Sequence, residues 1–282
     1  MCKVQVNEST GLIAVDDGGS STCVITKNKA EMFPSVKGDY GNRNISAVTG
    51  KYDFIVEYKS EKFVMGELAQ HDCAIPLEMN SDTKQHLFFD LSVLVSIHQY
   101  GYLNNYLIVS VPIRMHNDSE KEGRIKRLKG SHTIKVNGET KTFIISDAKV
   151  APETASAFWV KKRTGKTRYI DIGSRTIGYA TTVFENGITR FIDSESDTLF
   201  SMGIQALEDN FNSKSLADYI HGKVSKIFRK DDEIYLLGGG ALDKVLVERL
   251  QSYYPTAQVM DDPRMVNARG MYELGRTAYG VY

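Results

Sequence analysis

Two stretches of the sequence place an aspartate at the end of an apolar run and just before a turn of small residues. One is AVDDGGSST, which begins at position 14, and the other is DIGSRT, which begins at position 171. The aspartates are Asp16 and Asp171, and the small residues that follow them are Gly18, Gly19, Ser20, Ser21, Gly173 and Ser174. Glycine lets a backbone approach a ligand closely, and successive N–H groups in such turns bind anions. An acid repels the anion that such a turn attracts. A cation bound between the carboxylate and the anion would remove this conflict.

Magnesium and phosphate are the predicted cation and anion. Because Mg²⁺ gives up its hydration shell reluctantly, Asp16 and Asp171 are expected to hold it through waters. One such turn is weak evidence, since Asp, Gly and Ser are common in exposed turns. Two turns are harder to dismiss. The acids are 171 − 16 = 155 residues apart, about the length of one domain, which predicts two similar halves.

A third glycine-rich turn occurs in LLGGGAL, where an apolar run leads into Gly238, Gly239 and Gly240. The pattern lacks the GxGxxG spacing and the later acid of a Rossmann dinucleotide site. Taken alone, it fits two interpretations equally: a tight strand-to-helix turn, or backbone that lies flat against a base and ribose. The two aspartate turns favour the nucleotide interpretation.

Glu153 follows Pro152 in the stretch KVAPETASAFW. It could occupy the first turn of a helix, where the helix dipole favours an acid. It could instead orient the water that attacks a γ-phosphate. The residues themselves leave both roles open.

Composition and missing motifs exclude several classes of protein. The 282 residues include 35 basic and 35 acidic side chains, and this zero net charge disfavours direct binding to nucleic acid. The three cysteines show no CxxC spacing, which indicates a reducing compartment. The polar start MCKVQVNEST and the lack of a long apolar run predict a cytoplasmic protein without membrane contact. No P-loop, HExxH or GxSxG pattern is present.

Periodicity predicts the elements that position these residues. Strands are expected at 12–15, 23–26, 52–57, 62–65, 106–111, 168–171, 177–184, 188–192 and 233–237, and a hairpin turn at Asn137-Gly138. Helices are expected at 81–99, 120–129, 202–229, 241–251 and 265–279. The second helix carries Arg124, Lys126, Arg127 and Lys129, which are predicted to form a solvated face.

Taken in order, the two acidic hairpins, the triple glycine and the terminal helix resemble the nucleotide-binding signature of the actin, Hsp70 and sugar-kinase superfamily. KGSHTIKVNGETKTFIISDAKVAPETASA and MVNARGMYELG are similar to the matching stretches of ParM-type bacterial plasmid-segregation actins. The resemblance extends from about residue 12 to residue 275.

This resemblance implies an actin-like α/β fold of the duplicated ribonuclease-H-like type, with two domains around a nucleotide cleft. Domain I would span 1–158 with a small insertion at about 30–80, a trimmed domain II would span 159–264, and a C-terminal helix at 265–282 would return to domain I. ParM-like chains carry a helical subdomain, IIB, before the triple glycine. Here Phe184 and Gly238 are only 238 − 184 = 54 residues apart. Subdomain IIB is therefore expected to be absent or reduced to a short loop near 212–215.

The resemblance also assigns roles to residues. Asp16 and Asp171 match the magnesium-linked acids, Glu153 the hydrolysis-linked residue, and residues 238–240 the adenosine element. The phosphate loops are Gly18, Gly19, Ser20 and Ser21 in the first half and Gly173 and Ser174 in the second. Arg175 departs from the DLGGTT pattern of the family, and would either clash with a phosphate or contact one. The first loop has one more residue than DDGST, which leaves open which serine donates to phosphate.

The implied function is that of an NTPase that binds ATP or GTP with Mg²⁺, polymerises into filaments and segregates plasmid DNA. Its expected partners are copies of itself and a DNA-binding adaptor protein bound to a plasmid centromere. A small-molecule kinase of the same superfamily is the alternative, but no residues for a substrate pocket or catalytic acid stand out. An Hsp70-like chaperone is a third, and it would need a client-binding domain for which no residues remain.

Overall fold

The structure is a computed structural model that describes residues 9–41, 50–73, 83–204 and 212–281. The described residues form fifteen β-strands and six α-helices in two compact units. Unit 1 comprises Met1–Ser110, Asn117–Ala151 and Tyr272–Tyr282, and unit 2 comprises Val111–His116 and Pro152–Met271. Each unit contains one mixed sheet.

The strands are β1 (Thr10–Asp17), β2 (Ser21–Ile25), β3 (Ala30–Pro34), β4 (Lys37–Asp39), β5 (Asp53–Tyr58), β6 (Glu61–Gly66), β7 (Asn104–Val111), β8 (Gly130–Val136), β9 (Glu139–Pro152), β10 (Gly165–Ile172), β11 (Thr176–Glu185), β12 (Ile188–Phe191), β13 (Asp197–Phe200), β14 (Glu233–Leu237) and β15 (Gln258–Val259). The helices are α1 (Glu67–His71), α2 (Leu87–Tyr100), α3 (Asp118–Leu128), α4 (Ser213–Val224), α5 (Lys244–Tyr253) and α6 (Val266–Tyr279).

The sheet of unit 1 is built around β1. Its strand order is β3-β2-β1-β7-β9-β8-β5-β6-β4, with β1 antiparallel to β2 and parallel to β7. Residues 12–15 of β1 are at most 1% exposed, as expected for a continuous apolar run in the middle of a sheet. The core of this unit joins β1 and β7 to α2 through residues such as Leu91 and Leu94.

The sheet of unit 2 repeats this arrangement around β10. Its order is β12-β11-β10-β14-β15, and β13 also pairs with β11. β10 is antiparallel to β11 and parallel to β14, as β1 is to β2 and β7. The prediction of two similar α/β halves is thus confirmed.

The two acidic hairpins also share their register. Asp16 pairs with Cys23 in the first hairpin, and Asp171 pairs with Gly178 in the second. In both, the last pair of the ladder encloses four residues, 18–21 and 173–176. The additional residue in the first loop therefore makes that hairpin equal in length to the second one.

The bounds of three helices, α2, α4 and α5, differ from those predicted by more than two residues. α2 begins at Leu87, because the ring of His86 caps it by accepting a bond from Phe88 N, and residues 81 and 82 lie outside the described part of the chain. α5 begins only at Lys244, since a 3₁₀ turn over Gly239–Leu242 precedes its cap, Asp243. α4 is shorter than the predicted helix at 202–229, and residues 197–200 form the unpredicted strand β13.

The region between β13 and β14 bears on subdomain IIB. Its described residues, 201–204 and 212–232, contain one α-helix, α4, and no further subdomain. The suggested loop at 212–215 is wrong, because Asn212 caps α4 by accepting bonds from Lys214 N and Ser215 N.

The end of β1 is held by a buried ion-pair network centred on Asp17. Successive residues of a strand face opposite sides of the sheet, and Asp17 faces inward with no exposed surface. Arg124 on α3 donates to Asp17 Oδ2 at 2.5 Å, and Lys84 Nζ lies 3.3 Å from Oδ1. Arg124 also donates to the carbonyl of Lys84 at 3.0 Å. Arg124 is fully buried, so its predicted place on a solvated face is wrong: its charge compensates that of Asp17.

We expect Asp17→Ala to lower the free energy of unfolding by about 3–5 kcal/mol, because it leaves Arg124 and Lys84 buried without their carboxylate. Urea unfolding of the two proteins measures this difference. Asp39→Ala, which removes an exposed acid, is the control and should change stability by less than about 0.5 kcal/mol. A loss for Asp17→Ala as small as that of the control would contradict the structural role of the network.

Candidate functional site

Asp16 is the acid of the first hairpin that a ligand can reach. It is partly exposed, whereas its neighbour Asp17 is buried. The hydroxyl of Ser110 donates to Asp16 Oδ1 at 2.8 Å. Ser110 lies near the carboxyl end of β7, the parallel neighbour of β1, so the sheet itself brings the two side chains together. The carboxylate of Asp17 is instead used within the core, where it pairs with Arg124 and Lys84.

The turns after the two acids are equally tight. A Cβ atom on Gly18 would lie 2.9 Å from the carbonyl oxygen of Ser21, and one on Gly173 would lie 3.0 Å from that of Thr176. These are equivalent positions, two residues after Asp16 and Asp171. Gly173 N also donates to Thr176 O at 2.9 Å and closes the second turn. Only glycine fits without a shift of the turn, so sterics alone account for these two glycines.

The remaining turn residues are accessible. Ser20 is exposed, while Gly19, Ser21, Ser174 and Arg175 are partly exposed. The carbonyl of Arg175 accepts a bond from Met202 N at 3.2 Å, and the backbone of the second turn is thereby tied to the segment after β13. Their contact with phosphate stays a prediction.

Asp171 is held by a residue of α6. Asn267 Nδ2 donates to Asp171 Oδ2 at 2.7 Å, and the hydroxyl of Thr154 is 3.5 Å from the same oxygen. Burial raises the pKa of Asp171 to about 6, the bond from Asn267 opposes this rise, and the charge of nearby Glu153 adds to it. The hydrogen bonds from the protein thus compensate the negative charge of the carboxylate only in part. A nearby cation would stabilise the charged form.

Glu153 lies in a strained turn and not in an α-helix. Thr154 has φ 62° and ψ −57°, and Ala155 N donates to Glu153 O at 2.5 Å. This is the γ-turn with positive φ, a rare conformation that costs about 1–3 kcal/mol in a residue other than glycine. A 3₁₀ helix over Ala155–Trp159 follows. The first-turn role considered for Glu153 is excluded, because no α-helix begins there.

Asn267 is a site residue that the sequence reasoning missed. Its Oδ1 accepts a bond from Thr154 N at 2.9 Å while its Nδ2 holds Asp171. The only signal in the sequence was an amide within MVNARGMYELG, in a stretch where Val266 and Met271 are apolar and buried.

Packing accounts for two of the three glycines in LLGGGAL. A Cβ on Gly238 would lie 2.4 Å from Asp171 Oδ1, and one on Gly240 would lie 2.3 Å from Ile172 Cγ2. Gly238 also has φ 82°, which favours glycine. Gly239 is exposed and has open space beside it. Contact with a base and ribose stays a prediction, with Gly239 as the position that packing leaves unexplained.

Magnesium binding by Asp16 and Asp171 stays a prediction. Within the described ranges, no group of three or more His, Cys, Asp or Glu side chains is placed to bind a metal directly. Mg²⁺ is commonly bound through one or two carboxylates together with substrate phosphates, so a single carboxylate in each hairpin is compatible with the prediction.

Among the described helices, none is long and apolar enough to cross a membrane.

A family model described as the N-terminal domain of actin-like proteins matches residues 14–155, which is 142 of the 282 residues. With the duplicated hairpins and sheets, this match shows that the chain belongs to the actin-like protein family. No curated protein sequence matches it.

Solved structures show the same fold. A non-polymerisable quadruple mutant of pCBH ParM is 18% identical, with 95% of this chain and 100% of that one covered and a TM-score of 0.79. The AlfA filament from B. subtilis plasmid pLS32 is 20% identical, with 93% and 97% covered and a TM-score of 0.73. A 15-stranded ParM filament from Clostridium botulinum is 19% identical, with 95% and 99% covered and a TM-score of 0.76. The predicted actin-like α/β fold is thus confirmed.

We expect Asp171→Asn to stabilise the protein without nucleotide or metal at about pH 7.5, by about 1–3 kcal/mol. The folded protein raises the pKa of this carboxyl from 3.8 to about 6. The wild type therefore loses stability as the pH rises from about 4 to about 6, as the carboxyl ionises, and the amide avoids that loss.

Thermal unfolding in EDTA at about pH 4.5 and pH 7.5 measures this effect. The gain should be largest at the higher pH and shrink towards the lower one. An equal gain at both pH values, or none at either, would contradict the origin of the raised pKa.

Proposed function

We propose that this chain is an actin-like NTPase that binds ATP or GTP with Mg²⁺, polymerises into filaments and segregates plasmid DNA in the bacterial cytoplasm. The observation that carries this proposal is the repeated hairpin. Each copy has the same register, the same four-residue turn and one partly exposed aspartate beside the end of a parallel strand. A duplicated acid with a duplicated tight turn suits a metal–polyphosphate ligand better than it suits two unrelated surface turns.

The residues divide the chemistry between them. Asp16 and Asp171 would hold Mg²⁺ through waters, and the turn residues after them would bind phosphate oxygens through backbone N–H groups and serine hydroxyls. Bound Mg²⁺ would neutralise charge on the phosphates. Glu153 orients the attacking water with its carboxylate. The strained turn at Thr154 supports this role, because such strain persists where the surroundings enforce it and clusters at functional sites.

The compared proteins support self-assembly. The AlfA and C. botulinum ParM structures are of filaments, and one AlfA filament is bound to AMPPNP. We infer the same behaviour here, with subunit packing and twist that differ from those of ParM chains that carry subdomain IIB. Zero net charge and the lack of a recognisable DNA-binding motif favour contact with a plasmid centromere through an adaptor protein.

We expect Asp171→Ala to abolish turnover and Glu153→Ala to slow hydrolysis by about 10²–10⁴-fold, the usual contribution of a positioned base. Nucleotide binding and assembly of Glu153→Ala should stay largely intact. Phosphate release and pelleting with ATP and Mg²⁺ measure the two properties. Glu185→Ala, which removes an exposed acid at the end of β11, is the matched control.

Two outcomes of that experiment would be decisive. Hydrolysis by Glu153→Ala at the control rate would show that its assigned role is wrong. A wild-type protein that neither pellets nor hydrolyses nucleotide would overturn the proposed function. In a separate assay, phosphorylation of a small molecule would favour the kinase alternative.

We expect weak discrimination between ATP and GTP. Strong specificity needs buried polar groups that the wrong base leaves unpaired, which can reach about 10⁴-fold. The described residues between β13 and β14 contribute only α4, so the base should be less enclosed than in chains with subdomain IIB. Competition of ATP and GTP for a fluorescent nucleotide measures the ratio. A preference for ATP approaching that size would contradict this expectation.

A further inference from the structure

Helix α6 docks onto the turn that carries Glu153, through Asn267 and Gly270. We propose that Asn267 is a positioning residue for nucleotide hydrolysis, which holds the Glu153 turn and the Asp171 carboxylate in their working arrangement. This inference rests on the proposed function, since it assigns a role within the hydrolytic site. Asn267 would act through Glu153 and Asp171 and would not touch the nucleotide.

The turn needs an external support. Thr154 is 1% exposed and adopts φ 62° and ψ −57°, which a threonine keeps only when its surroundings enforce it. Asn267 Oδ1 accepts the N–H of Thr154 at 2.9 Å, and the carbonyl of Val111 accepts that of Glu153 at 2.9 Å. The central residue of the turn is therefore held by a side chain, and a mutation can remove that support without changing the turn itself.

The same amide holds the acid. Its Nδ2 donates to Asp171 Oδ2 at 2.7 Å, so one planar group sets the turn and the carboxylate relative to each other. Only one orientation of the amide satisfies both bonds, because the N–H of Thr154 needs an acceptor and the carboxylate needs a donor. Asparagine supplies both within a short side chain, whereas aspartate at this place would lack the donor and alanine would lack both.

Two glycines make room for this contact. A Cβ on Gly270, one helical turn after Asn267, would lie 1.9 Å from the carbonyl oxygen of Ser156. A Cβ on Gly178 in β11 would lie 2.0 Å from the hydroxyl oxygen of Thr154. Neither glycine has a positive φ, so close approach and not backbone conformation accounts for them. The turn is thus packed between β11 and α6, with Asn267 bonded to it from the helix.

The rate of ATP hydrolysis and the affinity for AMPPNP, measured in variants of the whole chain, distinguish a positioning role of Asn267 from a role in general stability. We expect Asn267→Ala to lower the single-turnover rate of ATP hydrolysis by about 10- to 100-fold, as loss of an orienting partner does. The affinity for AMPPNP should fall by a much smaller factor. Asn212→Ala removes an amide that only caps α4, and it controls for lost stability. Asn267→Asp keeps the acceptor for Thr154 and should also hydrolyse slowly, which covers the case of an alanine variant that does not fold.

A rescue experiment addresses the turn itself. Glycine adopts positive φ without a steric cost, so Thr154→Gly lessens the need for the support from Asn267. We expect Asn267→Ala/Thr154→Gly to recover part of the rate lost by Asn267→Ala. A residue that only stabilises the fold would not give this pattern.

The inference is overturned if Asn267→Ala and Asn267→Asp hydrolyse ATP as the Asn212→Ala control does. It is also overturned if AMPPNP affinity falls as far as the rate, or if the double variant shows no recovery. In each case a hydrolysing wild type leaves the proposed function standing. A wild type that fails to bind AMPPNP or to hydrolyse ATP overturns the proposed function and this inference together.

Discussion

Neighbouring residues of a β-strand face opposite sides of the sheet, and this constraint separates the tasks of Asp16 and Asp17. Asp17 turns into the core, where Arg124 and Lys84 compensate it, and the end of β1 is fixed there. Asp16 then faces the other side, next to the tight turn. In the second hairpin the place of Asp17 is taken by Ile172, which is fully buried and packs beside Gly240. The ion pair of Asp17 and the apolar side chain of Ile172 thus both fill the buried position at the end of their strand. A buried ion pair can often be replaced by apolar residues of similar volume without loss of stability.

In the second half, the proposed site residues are held in unfavourable states. Asp171 has a raised pKa because burial outweighs the bond from Asn267, and Thr154 has a backbone conformation that threonine avoids. Both features cost stability in the protein alone, and both lie where the proposed chemistry takes place. Local rules of stability are commonly broken at functional sites and compensated elsewhere. Here the compensation includes the apolar cluster around Phe158, Tyr169 and Val266, which anchors the turn and the start of α6.

Local patterns predicted the elements well and distant contacts poorly. The run at 233–237 was predicted to the residue as β14, and the hairpin at Asn137-Gly138 was also found, because turn chemistry and apolar runs act over a few positions. Arg124 was placed on a solvated face because its partner, Asp17, is 107 residues away in sequence. Asn267 was missed for the same reason, being 96 residues from Asp171. The strained turn at Thr154 has no signature in the sequence, since only tertiary contacts impose it.

The most direct test of the site is the affinity for AMPPNP with and without Mg²⁺, measured by calorimetry in the wild type and in Asp16→Asn, Asp171→Asn and Asp17→Asn. Mg²⁺ should tighten binding by the wild type, and most of that gain should be lost when either Asp16 or Asp171 is replaced. Asp17→Asn, although less stable, should keep the gain, because its carboxylate belongs to the core. Wild-type binding that is indifferent to Mg²⁺, or a gain that survives in Asp16→Asn but is lost in Asp17→Asn, would contradict the assignment of the metal-linked acids.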